Sequence, residues 1–213
     1  MEGLTTISGD EKELLISTVK KLQPLVADIL NPDDFHKIKE HLFRAVESGA
    51  LQRDQFGFNP VLFDLQTALI TVEEIGLNRA SVVSILLHEC VAMGAVSLDE
   101  VREEYGDDVA NIIKGLLRVN ELYAKNPSIE TENFRDLLLS FAEDMRVIFI
   151  IIANRVNLMR QLKGRGTDDE RQRVANEAAH LYAPLAHKLG LYLVKRELED
   201  LSLKFLEPDV YYM

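Results

Sequence analysis

Val147-Ile148-Phe149-Ile150-Ile151-Ile152-Ala153 is the longest apolar run in the chain, and its reading decides the fold class. β-Branched residues dominate it, and such residues favour strands because they pack well on a pleated surface. The run nevertheless continues without a break into Asn154-Arg155-Val156-Asn157-Leu158-Met159-Arg160. No turn residue separates the two halves, so the segment is predicted to be one helix near 145–161. At about 10 Å of helix the apolar part is far too short to span a membrane. With this segment helical, no other stretch alternates with period two for long enough to make a strand.

On either side of this helix, helix punctuation recurs from end to end. Ser8-Gly9-Asp10-Glu11 has the form of a capping box, in which the serine oxygen takes an amide and the glutamate reaches back. Behind it Leu15, Val19, Leu22, Val26 and Ile29 form a stripe at three- and four-residue spacing. Asn31-Pro32-Asp33-Asp34 offers a cap, a proline at the first helical position and acids in the first turn, and Gly49 offers the stop. Asn59-Pro60 opens a helix that Gly76 ends. Asn78 to Gly94 reads as another, nearly apolar throughout and therefore central. Ser97-Leu98-Asp99-Glu100 and Thr167-Asp168-Asp169-Glu170 are two further capping boxes. Helices are expected near 107–124, 130–143, 145–161, 168–189 and 191–206, with Pro208 closing the last. Pro184 implies a kink or break in the 168–189 helix. Loops are expected at 50–58, 124–129 and 163–167. The expected fold is all-α, a bundle of roughly nine or ten helices around a buried centre.

Composition narrows the function. The 213 residues are 47% hydrophobic and 28% charged, which is ordinary globular chemistry. A net charge of −11 argues against broad nucleic-acid or membrane binding, which needs a basic face, while leaving room for a small basic pocket. The single cysteine, Cys90, removes any internal disulfide or paired-cysteine zinc site. Residues 1–15 lack a basic segment leading into an apolar one, so no signal peptide is expected and the protein is expected in the cytoplasm.

Among the histidines, His36 and His41 sit in a charged stretch, HKIKEHLFR, and are expected at the surface. His88 ends an apolar helix and is followed at once by Glu89, a step that suits a divalent ion when further ligands converge. Without them, such a histidine is a hydrogen-bonded core residue. Asn154 and Asn157 lie three apart on one helix face, with Arg155 and Arg160 nearby. They either line a pocket or mark a helix emerging into solvent. Tyr182-Ala183-Pro184-Leu185-Ala186-His187-Lys188-Leu189-Gly190 suits close packing more than catalysis.

Three segments, in order, resemble the N-terminal HD-type hydrolase domain of the RelA/SpoT family, the long (p)ppGpp synthetase/hydrolases of the stringent response. YAPLAHKLGLYLVKRELEDLSLKFLEPDVY (182–211) is similar to the family's YAPLAHRLG motif and the ELEDLAF helix after it. ENFRDLLLSFAEDMRVIFIIIANRVNLMRQL (132–162) is similar to the segment ending in ADRLHN, and SILLHECVAMG (84–94) to ALLHDVVEDT. The resemblance implies an HD-like helical bundle over 1–189 and a linking helix over 190–213 toward a synthetase domain.

The departures decide what the resemblance implies about activity. Active members hold Mn²⁺ with an early histidine, the His-Asp pair and the aspartate of ADRLHN. Here Asp64 stands at the early histidine's position by ungapped spacing, His88 is kept, Glu89 replaces the paired aspartate, and Asn154 replaces the last. A neutral amide is a poorer ligand for a hard cation than a carboxylate. The Glu-Asp pair thought to activate water has become Ala92-Met93, which cannot accept a proton. Gln55-Phe56-Gly57-Phe58-Asn59-Pro60-Val61 stands where the family has a basic loop, and Val156-Asn157-Leu158 replaces LHN.

The implied reading is a degenerate domain with no catalytic residue and no expected cofactor, Mn²⁺ binding only if the altered site still holds it. Such a domain regulates the adjacent GTP pyrophosphokinase, its main partner. The alternatives are an active Mn²⁺-dependent 3′-pyrophosphohydrolase built on His88, Glu89 and Asp64, or a (p)ppGpp sensor using Arg155, Asn157 and Arg160. Ribosome contacts would come only through other regions, and neither membrane nor direct nucleic-acid binding is expected.

Overall fold

A computed structural model describes residue 4 and residues 7–125, 131–141 and 143–211. α1 (Gly9–Val26) starts at the predicted cap, where the Ser8 hydroxyl oxygen accepts from the Glu11 amide at 3.2 Å. The box is half made, because the Glu11 carboxylate turns away to accept from both Nη atoms of Arg53 at 2.7 Å. Ile29 falls beyond the helix end.

α2 (Asp34–Glu47) begins two residues after Pro32 rather than at it, and Asp33 stands at its N-cap with no side-chain capping bond. The reason is Asp34, which is 3% exposed. Its carboxylate accepts from the Asn31 amide at 2.8 Å and from Arg79 Nε and Nη2 at 2.7 and 2.9 Å, folding 31–34 into a turn. His36 is exposed as expected, whereas His41 is buried. It lies against Tyr105, with Nε2 2.9 Å from Glu104 and Nδ1 accepting from Arg44, because α2 turns this face inward.

In α3 (Pro60–Ile70) the Asn59 side chain accepts from the Val61 and Leu62 amides. The helix runs on through a π-helical turn, Thr71–Ile75, which ends at Gly76 with φ 82°, a left-handed conformation that favours glycine. α4 (Arg79–Ala92) buries every residue from Ala80 to Leu87. α5 (Leu98–Tyr105) carries the complete Ser97–Glu100 capping box, and α6 (Asp107–Lys125) follows. α7 (Thr131–Phe141) precedes α8 (Met145–Gln161), so the decisive apolar run is helical. From residue 126 on, the loop expected at 124–129 lies outside the described residues.

α9 (Asp168–Glu177) has the complete Thr167–Glu170 box. It passes through a π-helical turn, Ala178–Tyr182, into α10 (Ala183–Lys188). Pro184 therefore neither breaks nor sharply ends the helix. The wider turn, with the Ala183 amide donating to Ala178 oxygen, absorbs the carbonyl clash and lost donor that a proline brings. α11 (Tyr192–Leu206) ends before Pro208, which opens one more turn, α12 (Pro208–Tyr211), rather than closing the chain's last helix. Counting α9 and α10 as one rod and leaving out single-turn α12 gives ten helices among the described residues, with no strand. No described helix is long and apolar enough to cross a membrane.

α4 and α8 touch at the centre, and α3 and α6 each pack on both. α2 and α5 cover the outer sides of α4 and α6, and α11 lies across α8, α9 and α10. The α6–α8 approach is close: a Cβ added at Gly115 would lie 2.6 Å from Val147 Cγ2. Val147 is 1% exposed and its β-branched side chain has few rotamers, so it cannot move aside. Gly115→Ala is expected to lower stability by about 1–2 kcal/mol, the overpacking cost outweighing alanine's better helix propensity, measurable by denaturant unfolding.

Candidate functional site

One end of the α3–α4–α6–α8 core opens into a cavity of about 740 Å³. α3 contributes Asp64, α4 contributes His88 and Glu89, α6 contributes Asn120 and Tyr123, and α8 contributes Asn154 and Arg155. The segment before α3 adds Arg53, Asp54 and Phe58, and the π turn before α10 adds Tyr182. α4 and α8 place polar groups where their apolar stripes run out, and α3 carries Asp64 within its own.

The His88 Nδ1–H donates to the Ile85 carbonyl at 2.7 Å, because a carbonyl oxygen only accepts. That bond fixes the ring and leaves Nε2 toward Glu89 Oε1 at 3.6 Å, while Asp64 Oδ2 lies 3.8 Å from Nδ1. Burial dominates Asp64 and pushes its carboxyl up to about 8, against a partial opposing pull from His88. Burial works to lower the His88 pKa, but the Asp64 and Glu89 carboxylates override it and the imidazole is raised above its ordinary value. Burial also pushes the Cys90 thiol up to about 12, which removes it as a nucleophile near neutral pH.

The residues aligned with the family's Mn²⁺ ligands, Asp64, His88, Glu89 and Asn154, thus reach one cavity. Their donor set does not fit a divalent ion. Among the described residues no three His, Cys, Asp or Glu side chains converge closely enough to hold a metal. Asn154 offers a neutral amide, a poorer ligand for a hard cation than a carboxylate. Ala92 is exposed, and Met93, 56% exposed, stands at the rim.

The nucleotide-binding candidates separate. Arg155 lines the cavity, but its Nη2 donates to Glu177 at 2.8 Å and its guanidinium lies 4.4 Å over the Tyr182 ring. The Tyr182 hydroxyl meets that of Tyr123 in a short contact. Asn157, 3% exposed, points the other way into α3, donating to Phe63 oxygen and Thr67 Oγ1. Arg160 lies outside the cavity lining, forked on both sides: bidentate to Glu197 at 2.6 and 2.8 Å and to Glu74 at 2.9 and 3.0 Å. Asn120 and Tyr123 went unread in the sequence. Their signal was present, since Leu116, Val119, Asn120 and Tyr123 share one helical face and a lone amide on an otherwise apolar stripe marks a cavity wall.

The His88–Glu89 step sits half-buried at one end of the helical core. A family model described as "HD domain" matches residues 45–192, and the chain belongs to that family. One relative is the guanosine-3′,5′-bis(diphosphate) 3′-pyrophosphohydrolase of Aquifex aeolicus, 31% identical over 84% of this chain and 25% of its own length. A protein of the same name from Haemophilus influenzae is 35% identical over 66% of this chain and 21% of its own. The GTP pyrophosphokinase rsh of Brucella melitensis is 29% identical over 92% of this chain and 25% of its own. The chain is an HD domain of the RelA/SpoT family, and it spans about a quarter of the length of these relatives.

The raised Asp64 carboxyl has a consequence for stability. The folded state holds its proton up to about pH 8, whereas the unfolded chain releases it near the ordinary value of 3.8. The folded state therefore binds more protons in between, so stability falls as pH rises from about 4 through 8. The raised His88 adds in the same direction above its ordinary 6.5. Asp64→Asn is expected to flatten this decline and to be more stable than the parent at pH 8, read from urea midpoints across the pH range.

Proposed function

We propose that this chain is a non-hydrolytic HD domain that regulates an adjoining (p)ppGpp synthetase domain in the cytoplasm. Residues 1–189 would form the cavity-bearing body and residues 190–213 the link toward that neighbour. The observation that carries the reading is the donor set. The positions that hold metal in active relatives bring a buried Asp64–His88 pair, Glu89 and a neutral Asn154 to the cavity, with Ala92 and Met93 where acids would handle the water. Metal-assisted hydrolysis needs a fixed ion to make hydroxide near neutral pH and to neutralise phosphoryl charge. With Asn154 neutral and Ala92 and Met93 in place of acids, both requirements have fewer groups to meet them here.

The link to the neighbouring domain runs through Arg160. It ties α8, which carries Asn154 and Arg155, to Glu197 on α11 and to Glu74 in the turn after α3. Isolated surface ion pairs contribute little, but a doubly bidentate arginine joining three elements fixes their relative position. A change of cavity shape then reaches α11 as a rigid displacement.

Purified chain with Mn²⁺ and guanosine tetraphosphate, analysed by ion-exchange chromatography, is expected to form no GDP or pyrophosphate. Formation of both, abolished by His88→Ala, overturns the reading. With the chain joined to a synthetase domain, Arg160→Glu is expected to change the rate of (p)ppGpp synthesis by about fivefold, the lower end of ordinary coupling between sites. An unchanged rate in a folded protein removes α11 from the regulatory path.

A further inference from the structure

Nine large apolar side chains stand exposed among the described residues, and four of them belong to one place: Leu14, Ile16 and Leu25 on α1, and Ile7 just ahead of it. Apolar residues scattered singly over a surface are ordinary, whereas apolar residues that share a face are not. At about 100° per residue, Leu14 and Leu25 fall within about 20° of each other around the helix, with Lys21 close to both and Asp10 beside them. Ile16 lies on the opposite flank. Thr18, Leu22 and Val26 are buried where α1 packs on α3 and its π turn. The Leu14–Leu25 stripe runs along the edge of that contact, and its two leucines stay 45% and 39% exposed.

Charge along α1 is divided between its two halves. Asp10 and Glu13 stand in the first half and Lys20 and Lys21 in the second, all exposed and none in an ion pair among the described residues. Glu11 is already taken by Arg53, and Lys12 lies on the flank away from the stripe. A parallel copy of α1 would set acid on acid and base on base. An antiparallel copy related by a two-fold axis sets each half against its opposite, and makes every such contact twice. With the axis between Ser17 and Thr18, Leu14 comes level with the partner's Lys21, whose methylene stem can lie over it while its ammonium meets Glu13. The leucines of the two copies then stand about one helical turn apart, close enough to cover one another.

We propose that the Leu14–Leu25 face of α1 is a self-association surface, occupied by α1 of a second copy of this chain running antiparallel to it. This inference goes beyond the regulatory reading and stands or falls independently of whether the cavity hydrolyses anything.

Sedimentation equilibrium of the intact chain, at about 0.15 M salt so that repulsion between the acidic surfaces is screened, tests it directly. A monomer–dimer equilibrium is expected with a dissociation constant of about 10–100 µM, as suits an interface below the standard size. Leu14→Glu and Leu25→Glu, both at exposed positions, are each expected to raise that constant by about tenfold or more, which is about 1.4 kcal/mol of association. Ile16→Glu, as exposed as Leu14 but off the stripe, is expected to leave it unchanged. Glu13→Lys and Lys21→Glu are each expected to weaken self-association, and an equimolar mixture of the two variants to restore it as a heterodimer. Urea midpoints equal to the parent's, taken at concentrations where the parent is monomeric, separate loss of the dimer from loss of the fold. A chain that stays monomeric up to about 0.5 mM overturns the proposal. Equal weakening by Ile16→Glu and Leu14→Glu also overturns it, by assigning the association to unspecific apolar contact. A mixture of the two charge variants that remains monomeric removes the antiparallel pairing and the proposal with it.

Discussion

α4 and α8 carry so little polar surface along most of their length that each must be covered on nearly every side. The rest of the bundle is built around that need. α3 and α6 lie against both, α2 and α5 close the far side, and α11 lies along α8. The hydrophobic effect is non-directional, so it supplies the force without the geometry. The geometry comes from close packing at points such as Gly115 against Val147, where two backbones approach with no room for a methyl group.

The cavity is a consequence of where those apolar surfaces stop. α4 is buried from Ala80 through Leu87, with only Ser81 and Ser84 polar in that stretch, and first turns a titratable group inward at His88. α8 passes from buried Ala153 to Asn154 and Arg155. Helical residues advance by about 100° each, so three polar residues of α8 that are close in sequence diverge in space. Asn154 faces the cavity, Asn157 is drawn into the α3 interface, and Arg160 reaches across to two glutamates. One helix therefore serves the cavity, the core and the α11 contact at once.

That divergence also marks how far the sequence could be read. Local signals carried well: the Ser97 and Thr167 boxes formed with both hydrogen bonds, and the VIFIII run was helical because it continued unbroken into a helical pattern. Signals that depend on a distant partner did not. The Ser8 box keeps its serine half while Arg53 takes the Glu11 carboxylate, the α2 start was moved by Arg79, and His41 was buried by Glu104 and Tyr105. The convergence of Asp64, His88 and Asn154 could be expected from the family resemblance alone. The Tyr123–Tyr182 contact and the double fork of Arg160 join residues 59 and up to 86 positions apart, and no spacing rule reaches that far.

A metal site crowded with carboxylates is held together by its ion, and without the ion the same groups repel one another in a medium that screens them poorly. On the non-hydrolytic reading, the substitutions that distinguish this chain from the active pattern relieve that repulsion. Asn154, Ala92 and Met93 each stand where the family pattern has an acid. Asp64 sits beside His88, 3.8 Å from its Nδ1, as an ion pair within the cavity lining. The helix packing is kept because it rests on apolar contacts along α4 and α8, while the buried Asp64 makes the stability of the bundle depend on pH.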